Sequence, residues 1–153
     1  METKGARLEE WSQRIAEHGG RVTRPRRVVM QVLLEAETPL SPQEICTRAR
    51  RRYPSLGLVT VYRTLDVLET LAVVRRVHRE DGCHAYLPAT PGHHHLLLCR
   101  RCGRAMEFAG WDALDGLIAE LEAETGYRVE EHLLQLIGLC PRCYAQLKEG
   151  ERG

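Results

Sequence analysis

The chain has 153 residues, 28% charged and 43% hydrophobic, a balance that excludes a disordered polymer and leaves room for one domain or two small ones. Its formal charge of +1 conceals an asymmetry: residues 1–80 carry 15 Lys/Arg against 10 Asp/Glu, and residues 81–153 carry 7 against 11. A basic first half suits a polyanionic partner, and the acidic second half has other duties.

No apolar run reaches the ~20 residues of a membrane span. The opening METKGARLEEWSQ lacks the apolar core of a secretion signal, so a cytoplasmic protein with no membrane partner is expected.

The first predicted helix is LEEWSQRIAEHGG (8–20), with Leu8, Trp11 and Ile15 at helical spacing and two glycines as the stop. TRPRRVVMQVLLEA (23–36) follows, with Thr23 as N-cap, Pro25 in the first turn and a buried face through Val28, Val32 and Leu33. SPQEICTRARRR (41–52) opens with Ser41, Pro42 and Glu44, a capping box with proline at the first helical position. The fourth helix, LVTVYRTLDVLETL (58–71), has a β-branched start that tertiary packing must hold. Leu65, Leu68 and Leu71 form its inward stripe, which leaves Thr60, Tyr62 and Arg63 facing out. AVVRRVH (72–78) and HAYLP (84–88) read as strands joined across an Asp-Gly turn. Helices at an angle followed by a two-stranded wing are the order of a winged helix-turn-helix, and the arginine supply points it at DNA.

PATPG (88–92) breaks both helix and ladder and reads as a hinge. Beyond it the pattern alternates: strands HHHLLLC and RAMEF, a helix over 112–126, a strand over 127–140 and a short last helix. An α/β unit of this size needs a staple.

The staple is Cys99-x2-Cys102 with Cys140-x2-Cys143, two knuckles whose thiolates close a tetrahedral structural zinc site. A dithiol redox pair and an iron–sulfur cluster are the competing uses. Six cysteines in a cytosolic chain are not expected to be disulfides. The histidine run behaves differently. On a strand, His93 and His95 project one way while His94 and Leu96 project the other, so the run splits into two half-sites. Asp115 and His132 are available to the His93/His95 face. Glu107 can reach the His94 face, and His78, Cys83 and His84 in the wing and its approach can complete that set. Cys83 has the alternatives of a packing residue or a redox switch.

With these motifs in order, the sequence resembles the ferric uptake regulator family of metal-responsive repressors, and within it the zinc uptake regulators. RVTRPRRVVMQVL (21–33), GLVTVYRTLDVLE (57–69), GHHHLLLCRRCGRAMEF (92–108) and EHLLQLIGLCPRC (131–143) carry the resemblance. It implies an α+β fold, with an N-terminal winged helix-turn-helix DNA-binding domain over 1–87, a hinge at 88–92 and a metal-binding dimerisation domain over 93–153. It also implies structural zinc on Cys99, Cys102, Cys140 and Cys143, and a dimerisation-domain metal on His93, His95, Asp115 and His132. His94 and Glu107 fall on a hinge-side regulatory site. Arg21, Tyr62 and Arg63 fall on DNA-contacting positions, with Thr60 as a neighbour. Arg24, Arg26 and Arg27 join Arg21 as expected phosphate contacts, while the run Arg48 to Arg52 reads as a solvated face.

The departures carry information. Leu96 stands where many members have a regulatory histidine, Leu87 where they have a carboxylate, and Pro39 where iron- and peroxide-sensing members have a histidine. Cys83, with His78 and His84 close by, is what remains, and thiolate favours zinc over iron(II) or manganese(II). The expected function is a homodimeric, zinc-dependent repressor of palindromic double-stranded operator DNA, with no small-molecule substrate. An iron- or peroxide-responsive repressor is the alternative within the family. A zinc hydrolase built on His93, His95 and Asp115 is the alternative outside it.

Overall fold

A computed structural model describes residues 3–110 and 113–150. The chain separates into two compact units, one ending at Pro91 and the other beginning at Gly92.

The first unit is built from helices α1 (Lys4–Glu17), α2 (Arg24–Glu35), α3 (Pro42–Ala49) and α4 (Leu58–Thr70), then strands β1 (Val74–His78) and β2 (His84–Pro88). Local chemistry fixes the helix starts. Thr23 caps α2 by accepting the Arg26 N–H. At α3 the Ser41 hydroxyl accepts the Glu44 N–H while the Glu44 carboxylate accepts the Ser41 N–H, the reciprocal box the spacing predicts. The helices bury Trp11, Ile15, Val29, Met30, Leu33, Ile45, Val61, Leu65 and Leu68 in one core. The inward stripe of α4 differs from expectation at three positions. Val61 and Thr64 are buried, Thr64 because its hydroxyl is satisfied by the Thr60 carbonyl at 2.7 Å, and Leu71 is only half-buried.

β1 and β2 pair antiparallel with His78 opposite His84, and Gly82, at φ +78°, makes the turn between them. The wing is anchored at the middle of β2, where Leu40 and Tyr86 exchange backbone hydrogen bonds of 3.0 and 2.8 Å. Arg79 anchors its tip by donating to the Pro39 carbonyl at 2.9 Å and to Glu44 at 3.1 Å. The first strand begins at Val74, two residues later than the sequence pattern predicts, because Leu71, Ala72 and Val73 are used to close α4.

The second unit holds β3 (His94–Cys99), β4 (Ala105–Ala109), α5 (Ala113–Thr125), β5 (Gln135–Gly138) and α6 (Pro141–Gly150). Its sheet has the order β4-β3-β5, with β3 antiparallel to β4 and parallel to β5. The predicted 127–140 strand shrinks to four residues. After α5 the chain turns through Gly126 at φ +73°, and the Val129 N–H donates to Glu122 of that helix at 2.7 Å rather than to a neighbouring strand.

Candidate metal centres and the exposed face of the fourth helix

Four cysteines converge at one end of the β3–β4 hairpin. Cys99 closes β3, and Cys102 lies in the tight turn whose Gly103 N–H donates to the Cys99 carbonyl at 2.9 Å. Cys140 precedes α6 and Cys143 sits in its first turn. Their sulfur atoms all lie within 4.8 Å of one another, and Cys102 Sγ and Cys140 Sγ are 3.7 Å apart. Tetrahedral zinc with bonds of about 2.3 Å requires sulfurs roughly 3.8 Å apart, so this donor set fits that ion.

Backbone dipoles prepare the cluster for charge. The Cys140 N–H donates to Cys99 Sγ at 3.3 Å and, with other backbone donors, holds the Cys99 thiol down to about 6. The Cys143 N–H likewise lowers Cys140. Burial, reinforced by the three neighbouring sulfurs, pushes Cys143 up to about 12. Four thiolates this close together repel one another, and a divalent cation among them would offset that repulsion. None of the six cysteines is in a disulfide.

A second cluster forms at the start of β3. The ring of His93 lies 4.7 Å from that of His95 and 4.6 Å from that of His132, and His95 and His132 are 5.3 Å apart. One nitrogen from each falls within 4.8 Å of the others. They line a cavity of about 280 Å³ with Ala109, Gly110, Leu114 and Asp115. Of the four residues expected to share a metal here, the structure brings the three imidazoles together and sets Asp115, in the first turn of α5, on the same wall. His132 arrives on irregular backbone rather than on a strand. Its Nε2 is buried with no hydrogen-bond partner, as a metal-binding nitrogen would be.

Sequence reasoning missed Gly110. A Cβ at this position would lie 2.8 Å from His93 Cδ2 and 3.3 Å from His95 Nε2, so the glycine is the floor of the histidine pocket. Its only signal in the sequence is a glycine directly after a strand.

The other face of β3 carries His94 and a fully buried Leu96. Glu107 pairs with Leu96 across the β3–β4 ladder and is therefore diagonal to His94 on that face. Within the first unit, His78 and His84 face each other across the wing with ring centroids 4.9 Å apart, both exposed, next to the exposed Cys83. Cys83 N–H is held by the Asp81 carboxylate at 2.9 Å.

On α4, Tyr62 and Arg63 are exposed and Thr60 is half-exposed. Gln43 of α3 donates to the Tyr62 hydroxyl at 3.5 Å. Arg21 and Arg24 are exposed, the latter with its guanidinium over the Tyr53 ring. Arg26 instead donates to the Arg21 carbonyl and Arg27 pairs with Glu9. In the arginine run, Arg50 holds the Leu56 carbonyl at 2.9 Å and Arg52 pairs with Glu35 at 2.6 Å, so these two brace the fold.

Residues 17–137 match the ferric uptake regulator family. The ferric uptake regulation protein of Campylobacter jejuni is 29% identical over 141 residues, covering 91% of this chain and 89% of that protein. A zinc uptake regulator in complex with zinc and DNA shares the fold, with a TM-score of 0.81 at 22% identity over 97% of this chain and 99% of the other. The Helicobacter pylori ferric uptake regulator, described as having three functional metal-binding sites, aligns with a TM-score of 0.64 at 26% identity over 94% and 95%.

Proposed function

The chain belongs to the ferric uptake regulator family of metal-dependent, DNA-binding transcriptional repressors, and we propose that within it this protein is a zinc-responsive repressor. Members of the family are regulators rather than enzymes, so the three-histidine pocket is not a hydrolytic centre.

The observation that carries zinc is Leu96. Its side chain is fully buried where many relatives place a regulatory histidine, and no donor atom is available there. The donors left for sensing are His78, Cys83 and His84 on the wing and His94 and Glu107 on β3 and β4. A set containing thiolate and imidazole prefers zinc to iron(II) or manganese(II). When bound, zinc supplies a fixed tetrahedral arrangement of its ligands and no redox chemistry. Cys99, Cys102, Cys140 and Cys143 hold a structural ion in the second unit. His93, His95 and His132, with Asp115, hold another.

The protein acts as a homodimer in the cytoplasm. Met106, Leu97 and Leu136 are in register across the second unit's sheet and all exposed, and Leu117 and Leu121 are exposed on α5; a second copy of the chain covers such surface. A two-fold dimer reads a palindromic operator. Tyr62 and Arg63, with Thr60, enter the major groove, and Arg21 and Arg24 neutralise phosphates.

Cys83→Ser and His94→Ala test the assignment of the sensing donors. Both variants are expected to keep the four-cysteine zinc and the fold while losing at least tenfold in the zinc concentration needed for operator binding. Binding at the parent's zinc concentration by both variants would overturn it.

A further inference from the structure

We propose that Val59 is a specificity residue that reads a thymine methyl group, an inference that rests on α4 entering the major groove. Among the described residues of the first unit, the large apolar side chains left exposed are Val59, at 62%, and Tyr62, at 42%. Every core position of α4 is filled from elsewhere on the helix, by Val61, Thr64, Leu65 and Leu68. Val59 and Tyr62 are three residues apart and share a face of the first two turns, with Arg63 beside them.

Nothing in the unit's own stability accounts for Val59. A β-branched residue in a helix loses side-chain freedom, and an exposed one recovers little of that by packing. A rule broken locally without a structural gain marks a functional position. The occupant follows from the surroundings. Arginine next to an apolar pair suits the major-groove edge of DNA, where guanine offers two acceptors and thymine offers a methyl group. Valine's two methyls make apolar contact with that group and have nothing to offer cytosine, which presents a polar amine and no methyl at the corresponding position. Tyr62 is steadied by Gln43, whereas Val59 has a single χ angle and needs no such support.

The test uses a duplex enriched from a random pool by the zinc-loaded, full-length protein. Each thymine of the enriched half-site is then replaced singly by deoxyuridine, which lacks only the 5-methyl group. For the parent, the thymine met by Val59 is expected to cost roughly fourfold in affinity on replacement, the value of one buried methyl-sized group. Val59→Ala should bind the intact duplex roughly fourfold more weakly and become indifferent to deoxyuridine at that one position, with a melting temperature no lower than the parent's. If Val59→Ala keeps the parent's full pattern of deoxyuridine sensitivity, the inference is overturned while DNA reading by α4 stands. If the zinc-loaded protein enriches no duplex, the DNA-binding reading itself falls, and Val59 with it.

Discussion

Gly110 illustrates how a single residue shapes the proposed histidine site. The absent side chain leaves the space that the His93 and His95 rings occupy, so adding one carbon forces His93 to turn. Gly110→Ala is therefore expected to weaken metal binding at the histidine site by about tenfold, the effect of disturbing a ligand's support. The four-cysteine site should keep its zinc. Competitive titration with a chromophoric chelator distinguishes the two sites, and unchanged affinity at the weaker one would contradict the role given to Gly110. Leu96 and the two CxxC pairs were legible as letters, because ligand spacing and strand alternation are local rules. The Gly110 floor was not, since only the tertiary approach of His93 to the backbone gives that glycine a reason.

Among the elements, the starts of α2 and α3 were the most readable, whereas α1 begins at Lys4, capped by Thr3, four residues before the expected Leu8, and ends at Glu17. Thr23 and the Ser41–Glu44 pair act on backbone within three residues, and the structure uses both as the spacing predicts. The end of α4 was less readable. There the Val73 N–H bonds back to the Leu68 carbonyl and the Ala72 N–H to the Glu69 carbonyl, a closure that sets Ala72 at φ +53°. An L-residue is strained in that conformation, and Ala72 is exposed, so its methyl recovers nothing by burial. Ala72→Gly should raise the free energy of unfolding by about 0.5–1 kcal/mol, after allowing for glycine's greater freedom in the unfolded chain. Urea unfolding measures this, and a destabilised variant would contradict it. The 127–140 segment misled because its apolar letters suit a strand, whereas β3 offers it a partner only over Gln135–Gly138. Glu122 and Gly126 direct the preceding residues along a different path.

For the molecule as a whole, the break between Pro91 and Gly92 falls in PATPG, and the basic and acidic halves correspond to the two units. Composition could mark that division because each unit has its own duty: one presents arginines and α4, the other gathers thiols and imidazoles. Which donors would answer to metal was less legible, since the proposed set of His78, Cys83, His84, His94 and Glu107 follows no single spacing rule. The central claim is that zinc occupancy governs DNA binding. Fluorescence anisotropy of an enriched operator duplex, at constant ionic strength, measures this with the parent protein in chelator and then with free zinc restored. The account predicts binding that falls by at least a hundredfold in a chelator too weak to strip the four-cysteine site, and that returns with zinc. Equal affinity in both conditions would contradict it.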